Sequence, residues 1–239
     1  MILRLLGVLG VTLLGVGLTI PVAASESGAT PHLRTIYLIR HGQAETSGRG
    51  DETAVNGLTN LGIAQAKLIG ARLRGTPVVF DALISSPFLR ARQTAAVIHE
   101  SLPGLEVKYS ELLHETLPRT RQVEVTKDMS PAELDEAEKQ LNEAFVQFFQ
   151  PVHETDRHEI LVCHGNVIRY LVTKALGVDT QAWLGMGLAN CSLTIIQVRP
   201  DGSCKVLAVG DTGHLPANLV SGWGRPEPQL IVPDAGAKP

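Results

Sequence analysis

The chain carries few cysteines, few aromatics and no concentrated charge of either sign, and each scarcity excludes something. Three cysteines, Cys163, Cys191 and Cys204, cannot all pair with one another. Cys163 falls inside an apolar run, and the turn Pro200-Asp201-Gly202 sets Cys191 opposite a residue well beyond Cys204, so no structural disulfide is expected. Neither Cys-x-x-Cys nor His-Glu-x-x-His spacing occurs, which leaves no expectation of a metal. With aromatics at 4%, no apolar acceptor groove is legible. The net charge of −3 without a basic block excludes nucleic acid and strongly anionic surfaces as partners. No internal repeat is visible.

One long apolar run is present. Met1 to Arg4 is short and positive, Leu5 to Ile20 is uncharged, and Val22-Ala23-Ala24 offers small residues before Ser25. Residues 1–24 therefore read as a signal peptide and the protein as secreted or periplasmic. The alternative is an uncleaved membrane anchor, because the run approaches the ~20 apolar residues that span a bilayer. Residues 25–33 read as a flexible N-terminal segment, 34–221 as one enzyme domain, and 222–239 as a Pro/Gly-rich tail.

Within 34–221 strands and helices alternate. Arg34 to Ile39, Ala82 to Ser85, Leu105 to Tyr109 and Ile160 to Cys163 read as strands, and Ser192 to Val198 with Lys205 to Val209 as a hairpin. Thr59 caps a helix whose inner face is predicted to carry Leu61, Ala64, Leu68 and Ala71; Pro87 to Ser101 is a second helix, and Asn166 to Leu176, closed by Gly177, a fourth. The third is the clearest. Ser130-Pro131-Ala132-Glu133 is a capping box, and Leu134, Ala137, Leu141, Ala144, Phe145 and Phe148 form one stripe. Glu111 to Lys127 fits neither period and is expected to line the site. The alternation implies an α/β three-layer sandwich, with a mostly parallel central sheet and helices on both faces.

Two of these strands end in histidine. Ile36-Tyr37-Leu38-Ile39 runs into Arg40-His41-Gly42, and Ile160-Leu161-Val162-Cys163 into His164-Gly165-Asn166; at a third strand-to-helix junction stand Arg90 and Arg92. Phosphoryl transfer through a covalent intermediate needs an unprotonated nucleophile, fixed positive charge and an acid for the leaving oxygen. A neutral imidazole is a competent nucleophile near pH 7, and guanidiniums both grip phosphate oxygens and lower the pKa of a nearby histidine. In open α/β sheets such groups meet beyond the carboxyl ends of the strands.

Arg40-His41-Gly42, Leu58-Thr59-Asn60-Leu61-Gly62, Arg90-Ala91-Arg92-Gln93-Thr94-Ala95, Leu113-His114-Glu115 and His164-Gly165-Asn166-Val167-Ile168-Arg169-Tyr170 stand in the order of the histidine phosphatase superfamily, also called phosphoglycerate mutase-like, which the chain resembles from about Thr35 to Leu215. Cys163 to Tyr170 and Gly210 to Pro216 look most like the branch of the mitochondrial Ser/Thr phosphatase related to phosphoglycerate mutase. The resemblance implies His41 as nucleophile, His164 as second imidazole, Arg40 and Arg90 as phosphate ligands, and Glu115 as proton donor with Glu111 behind it. Gly165 and Asn166 open a helix whose backbone N–H groups are expected to add substrate contacts, the alternative being that Gly165 serves only a tight turn. Arg92 is expected on the surface, since one helix cannot aim residues two apart at one point. Arg169 is expected in a structural salt bridge, His114 near substrate, and His214 either over the pocket or capping a loop.

The expected protein is thus an exported, metal-independent phosphomonoester hydrolase working through a phosphohistidine on His41. It needs no cofactor, and its partner is a phosphorylated small molecule or a phosphoprotein. Two alternatives stand beside it: a phosphoglycerate mutase-type phosphoryl transferase and a noncatalytic phospho-ligand binding module. Mutases of this fold carry Arg-His-Gly-Glu-Ser and then an asparagine ligand; here Gln43-Ala44-Glu45-Thr46-Ser47 follows the glycine, which favours hydrolysis.

Overall fold

The structure, a computed structural model, describes residues 31–45 and 56–223. The leader and the tail from residue 224 lie outside the described residues. So do Thr46 and Ser47.

Six strands form one sheet: β1 (Arg34–Arg40), β2 (Ala82–Ser85), β3 (Val107–Tyr109), β4 (Arg157–Cys163), β5 (Leu193–Val198) and β6 (Cys204–Asp211), in the order β3-β2-β4-β1-β5-β6. The first four are mutually parallel, and β5, between β1 and β6, is the one strand of the sheet that runs opposite to the other five. Four helices cover the sheet: α1 (Asn60–Arg74), α2 (Leu89–Ser101), α3 (Pro131–Phe148) and α4 (Gly165–Ala175). α1 and α2 pack Ile69, Leu73, Ala95 and Ile98 onto Tyr37, Ile39, Ile160 and Val162 on one face. On the other, α3 and α4 pack Leu141, Ala144, Ile168 and Leu171 onto Ile36, Leu38, Leu161 and Cys163. Central strands buried on both faces have no polar side to show, which is why Tyr37 to Ile39 and Ile160 to Cys163 read as unbroken apolar runs.

This topology fixes where a site forms. After β1 the chain leaves to the α1 face, and after β4, its neighbour, to the α4 face. The crevice beyond their carboxyl ends is a topological switch point, where neither connection covers the strand ends.

The inner face of α1 is not Leu61, Ala64, Leu68 and Ala71 but Leu61, Gln65, Ala66, Ile69 and Leu73, with Ala71 exposed. Buried Gln65, a polar residue, turns the true face away from the one that apolar spacing suggests. β4 begins at Arg157, three residues earlier than its apolar part, because Arg34 pairs with Glu159 (3.8 Å) and Arg157 with Asp81 (3.7 Å) at that end. β3 is shorter than expected, and α2 starts at Leu89 since Phe88 is still extended. Residues 111–127 contain two short 3₁₀ turns, Glu111–Leu113 and Val123–Val125. The capping box of α3 is present, with Ser130 and Glu133 satisfying each other's backbone N–H. In the terminal hairpin Cys204 faces Val198 and Leu193 faces Asp211, and all three cysteines are free thiols. No helix among the described residues is long and apolar enough to cross a membrane.

Candidate active site

Register brings the two histidines together. Arg40 of β1 lies beside Cys163 of β4, so the next residues, His41 and His164, leave the sheet at one level, and the His41 N–H donates to the Cys163 carbonyl at 2.9 Å. Their ring centroids are 5.1 Å apart. His41 is 3% exposed and His164 fully buried.

The protonation of His41 follows from its contacts. Nδ1 lies 2.8 Å from the Gly42 carbonyl, which only accepts, so Nδ1 carries the proton; the Arg90 Nε–H donates to Nε2 at 3.1 Å. Burial first, then the Arg40 and Arg90 charges, push its pKa well below the ordinary value of 6.5. At neutral pH the ring is therefore uncharged, with its lone pair on Nε2.

Gly42 is a glycine for a reason of space. A Cβ there would stand 2.6 Å from the Gly62 carbonyl, and one on Gly62 would drive into the Gln43 carbonyl. The first turn of α1, capped by the Thr59 hydroxyl on the Gly62 N–H, therefore lies directly against the loop that carries His41. The Gly42 N–H donates to Thr94 Oγ1 at 3.0 Å. A second brace lies beneath. Asn190 Nδ2 donates to the His41 carbonyl, Ser221 to Asn190 Oδ1, and Gln65 to both Ser221 and the Leu219 carbonyl. The sequence reading missed Gln65, Asn190 and Ser221.

Arg90 is 1% exposed in the first turn of α2, whereas Arg92 is exposed over the Tyr109 ring. Arg40 Nη1 donates to the carbonyls of Leu188 (2.7 Å) and Gly222 (3.1 Å). Gly222 has φ 87°, and a Cβ there would collide with both Arg40 and Asn190. Arg40 Nε is buried without a protein partner, as is His164 Nδ1. Each such buried nitrogen costs about 1–3 kcal/mol while unpaired. His164 Nε2 is 2.7 Å from Ser86 Oγ, another residue the sequence reading passed over. Burial, followed by His41, Arg90, Arg40 and His114, holds the His164 pKa well below 6.5.

Glu115 stands in the loop after β3, close enough to Cys163 and Arg169 to act on both: burial, with the Glu115 charge behind it, pushes the Cys163 thiol up, while burial and the Arg40 charge lower Arg169 against the opposing pull of Glu115. Gln140 of α3 secures this loop by donating to the carbonyls of Leu112 and His114, and Asn166 by donating to that of Thr116. The Asn166 side chain is thus engaged by the loop and by Arg169, which also donates to the Met186 carbonyl. Gly165 packs beside Arg40 Nε and Arg169. His114 stacks on Phe88, whose ring edge meets His164. Glu111 is exposed. A cleft of about 450 Å³ opens beside the loop, lined by Glu111, His114, Thr116, Glu136, Gln140 and Glu143. His214 caps a loop: its Nε2 donates to the Cys191 carbonyl and its Nδ1 accepts from Arg72. Among the described residues no cluster of His, Cys, Asp or Glu is arranged to hold a metal ion.

The depressed pKa values of the buried pair His41 and His164 tie stability to pH, and His214, lowered by burial and by Arg72, acts in the same direction. Below 6.5 the unfolded chain takes up protons on His41 and His164 that the folded chain refuses, so stability falls as pH drops from about 6.5 toward the folded values. Each imidazole adds a slope of up to about 1.4 kcal/mol per pH unit. Urea midpoints measured from pH 7.5 to 5 should fall steadily, and a flat profile would contradict the buried, neutral pair.

A doubly covered, mostly parallel sheet with paired imidazoles and guanidiniums at its switch point defines a phosphoglycerate mutase-like α/β enzyme. The family model of the histidine phosphatase superfamily (branch 1) matches residues 36–212, and the chain belongs to that superfamily. It is 36% identical over 191 residues to the mitochondrial serine/threonine-protein phosphatase PGAM5 of Xenopus laevis, covering 79% of this chain and 69% of that protein. To its Caenorhabditis elegans counterpart it is 38% identical over 194 residues, covering 79% and 66%. Among solved structures, phosphoglycerate mutase of Plasmodium falciparum superposes with a TM-score of 0.55 at 25% identity, over 78% of this chain and 96% of that one. The protein is a phosphoric monoester hydrolase.

The relatives also correct the expectation of a secreted or periplasmic protein, because by name they are mitochondrial. One arginine ahead of an apolar run encodes an affinity for apolar surroundings and carries no mark of compartment.

Proposed function

We propose that this phosphatase works without a metal ion through a phosphohistidine on His41, and that its substrates are phosphoserine and phosphothreonine in proteins. The single observation that carries the mechanism is the state of His41: neutral, protonated on Nδ1 by its bond to the Gly42 carbonyl, with Nε2 turned to a buried guanidinium. The substrate reading rests on the names of the relatives, which are serine/threonine-protein phosphatases.

In the first step His41 Nε2 attacks phosphorus in line, the bond to the leaving oxygen breaks, and Glu115 gives that oxygen a proton. Arg90 exchanges its contact with Nε2 for a phosphate oxygen, joined by Arg40 and His164, so fixed cations stabilise the equatorial charge that Mg²⁺ stabilises elsewhere. The backbone N–H groups of Gly165 and Asn166 at the start of α4 add to that field. In the second step water loses a proton to Glu115 and attacks the phosphohistidine; the P–N bond breaks, its electron pair returns to Nε2, and phosphate leaves. No bisphosphate primer enters this cycle, which separates it from a mutase.

The test is turnover of a phosphoserine peptide in EDTA, with intact-mass analysis of enzyme quenched at alkaline pH, where phosphohistidine survives. Undiminished turnover and a phosphorylated form localised to His41 are expected. Loss of activity in EDTA, restored by a divalent ion, would overturn the metal-free scheme.

A further inference from the structure

Ser86 follows β2 as His41 follows β1 and His164 follows β4, and it is fully buried. Its main chain is fixed, with the N–H donating to the Val162 carbonyl at 2.9 Å and the carbonyl accepting from the Ser85 hydroxyl. Its side chain meets two groups: the Phe88 N–H at 3.3 Å and His164 Nε2 at 2.7 Å. The Phe88 N–H can only donate, so Oγ accepts there and keeps its own hydrogen for another partner.

The His164 ring then has two neutral forms. If Nε2 carried the proton, it would donate to Ser86, and Nδ1 would present a bare lone pair, buried and without a partner. That lone pair would face phosphate oxygens with like charge. If Ser86 donates to Nε2, the hydroxyl hydrogen finds an acceptor and Nδ1 becomes a buried N–H donor. Only the second form satisfies every group once a phosphate is bound. The ring cannot escape by rotating freely, since it is packed between His41 (centroids 5.1 Å) and the edge of Phe88 (5.2 Å).

We propose that Ser86 is a positioning residue for phosphoryl transfer: its hydroxyl donates to His164 Nε2, locks the imidazole in the Nδ1–H tautomer, and so makes His164 a donor to the nonbridging oxygens. The proposal rests on the phosphoryl-transfer reading above for its effect on rate, but its statement about the tautomer stands apart from that reading. It also assigns Ser86 a part in transition-state binding, because the equatorial oxygens gain negative charge as the leaving bond stretches. Removing a donor of this kind outright costs about 10²–10³ in rate; losing only the bias toward the right tautomer should cost about 10- to 100-fold.

The experiment is long-range ¹H–¹⁵N NMR of the histidine rings in the full chain at pH 7, with His164→Gln to assign the signals. His164 should show the Nδ1–H pattern in the wild type, and Ser86→Ala should shift it toward a mixture. With p-nitrophenyl phosphate, Ser86→Ala should lose kcat with KM little changed, and the inhibition constant of vanadate should rise by the factor that kcat/KM falls. A residue that merely fills space would alter neither the ring pattern nor that proportionality. An Nε2–H pattern for wild-type His164 overturns the proposal without any variant having to fold, and Ser86→Ala with unaltered tautomer and kcat overturns it equally. Failure of the phosphohistidine reading shows itself elsewhere, in His41→Ala, and leaves the tautomer result to be judged by the spectrum.

Discussion

Replacing His41 by alanine should reduce turnover of any phosphomonoester by on the order of 10⁴-fold or more, because a nucleophile has no substitute within a covalent mechanism. The phosphorylated form should vanish from the mass spectrum at the same time. The fold should survive, since the ring sits at the switch point and not in the packing between sheet and helices, and the Asn190 bond is made to the His41 carbonyl, which alanine retains. The variant should even gain relative stability in acid: it lacks one of the three imidazoles whose pKa is held down, His41, His164 and His214, so its urea midpoint should decline less from pH 7 to 5 than that of the wild type. Turnover within a few-fold of wild type would remove His41 from the mechanism.

Glu115→Gln should separate two steps that a single rate conceals. A serine alkoxide needs a proton to leave, so with a phosphoserine peptide the loss should be about 10²–10⁴-fold, the usual worth of a general acid. Nitrophenolate leaves unaided. With p-nitrophenyl phosphate the first step should therefore stay fast while water attack, now without a base, becomes slow. Rapid-mixing measurements should show a stoichiometric burst of nitrophenolate followed by a slow phase, together with accumulated phosphoenzyme. Equal losses on both substrates and no burst would mean that Glu115 moves no proton and that another group beside the cleft does. Exposed Glu111 is then the first to examine, followed by His114 stacked on Phe88.

The parts of this protein that were legible in its sequence share a physical property: they sit where a periodic pattern breaks. His41 and His164 each end an apolar run, Gly42 and Gly165 follow them, and Ser130 to Glu133 opens a stripe of helical period. Arg90 could be told from Arg92 because helix geometry points residues two apart to different sides, and burial now separates them. What escaped is the layer that holds those groups. Gln65, Asn190, Ser221 and Gln140 are buried polar residues whose partners are 26 to 156 positions away, so no local spacing announces them. Gln65 was costly twice, hiding a brace of His41 and turning the inner face of α1 by about one residue. Arg157 to Glu159 looked too polar for a strand because their ion pairs are made with Arg34 and Asp81, far away along the chain.

The brace from Leu219 to Gly222 bears on the order in which the molecule is made. These residues lie beyond the stretch from 36 to 212 shared with the family, yet Gln65, Asn190 and Arg40 depend on them for partners. A ribosome delivers His41 first and Gly222 some 180 residues later, so a growing chain carries the segments of both histidines and of Arg90 well before it can complete the bonds that hold Arg40. Synthesis and competence are thereby separated in time, with the turn from Leu219 to Gly222 acting as the stitch that closes the seam.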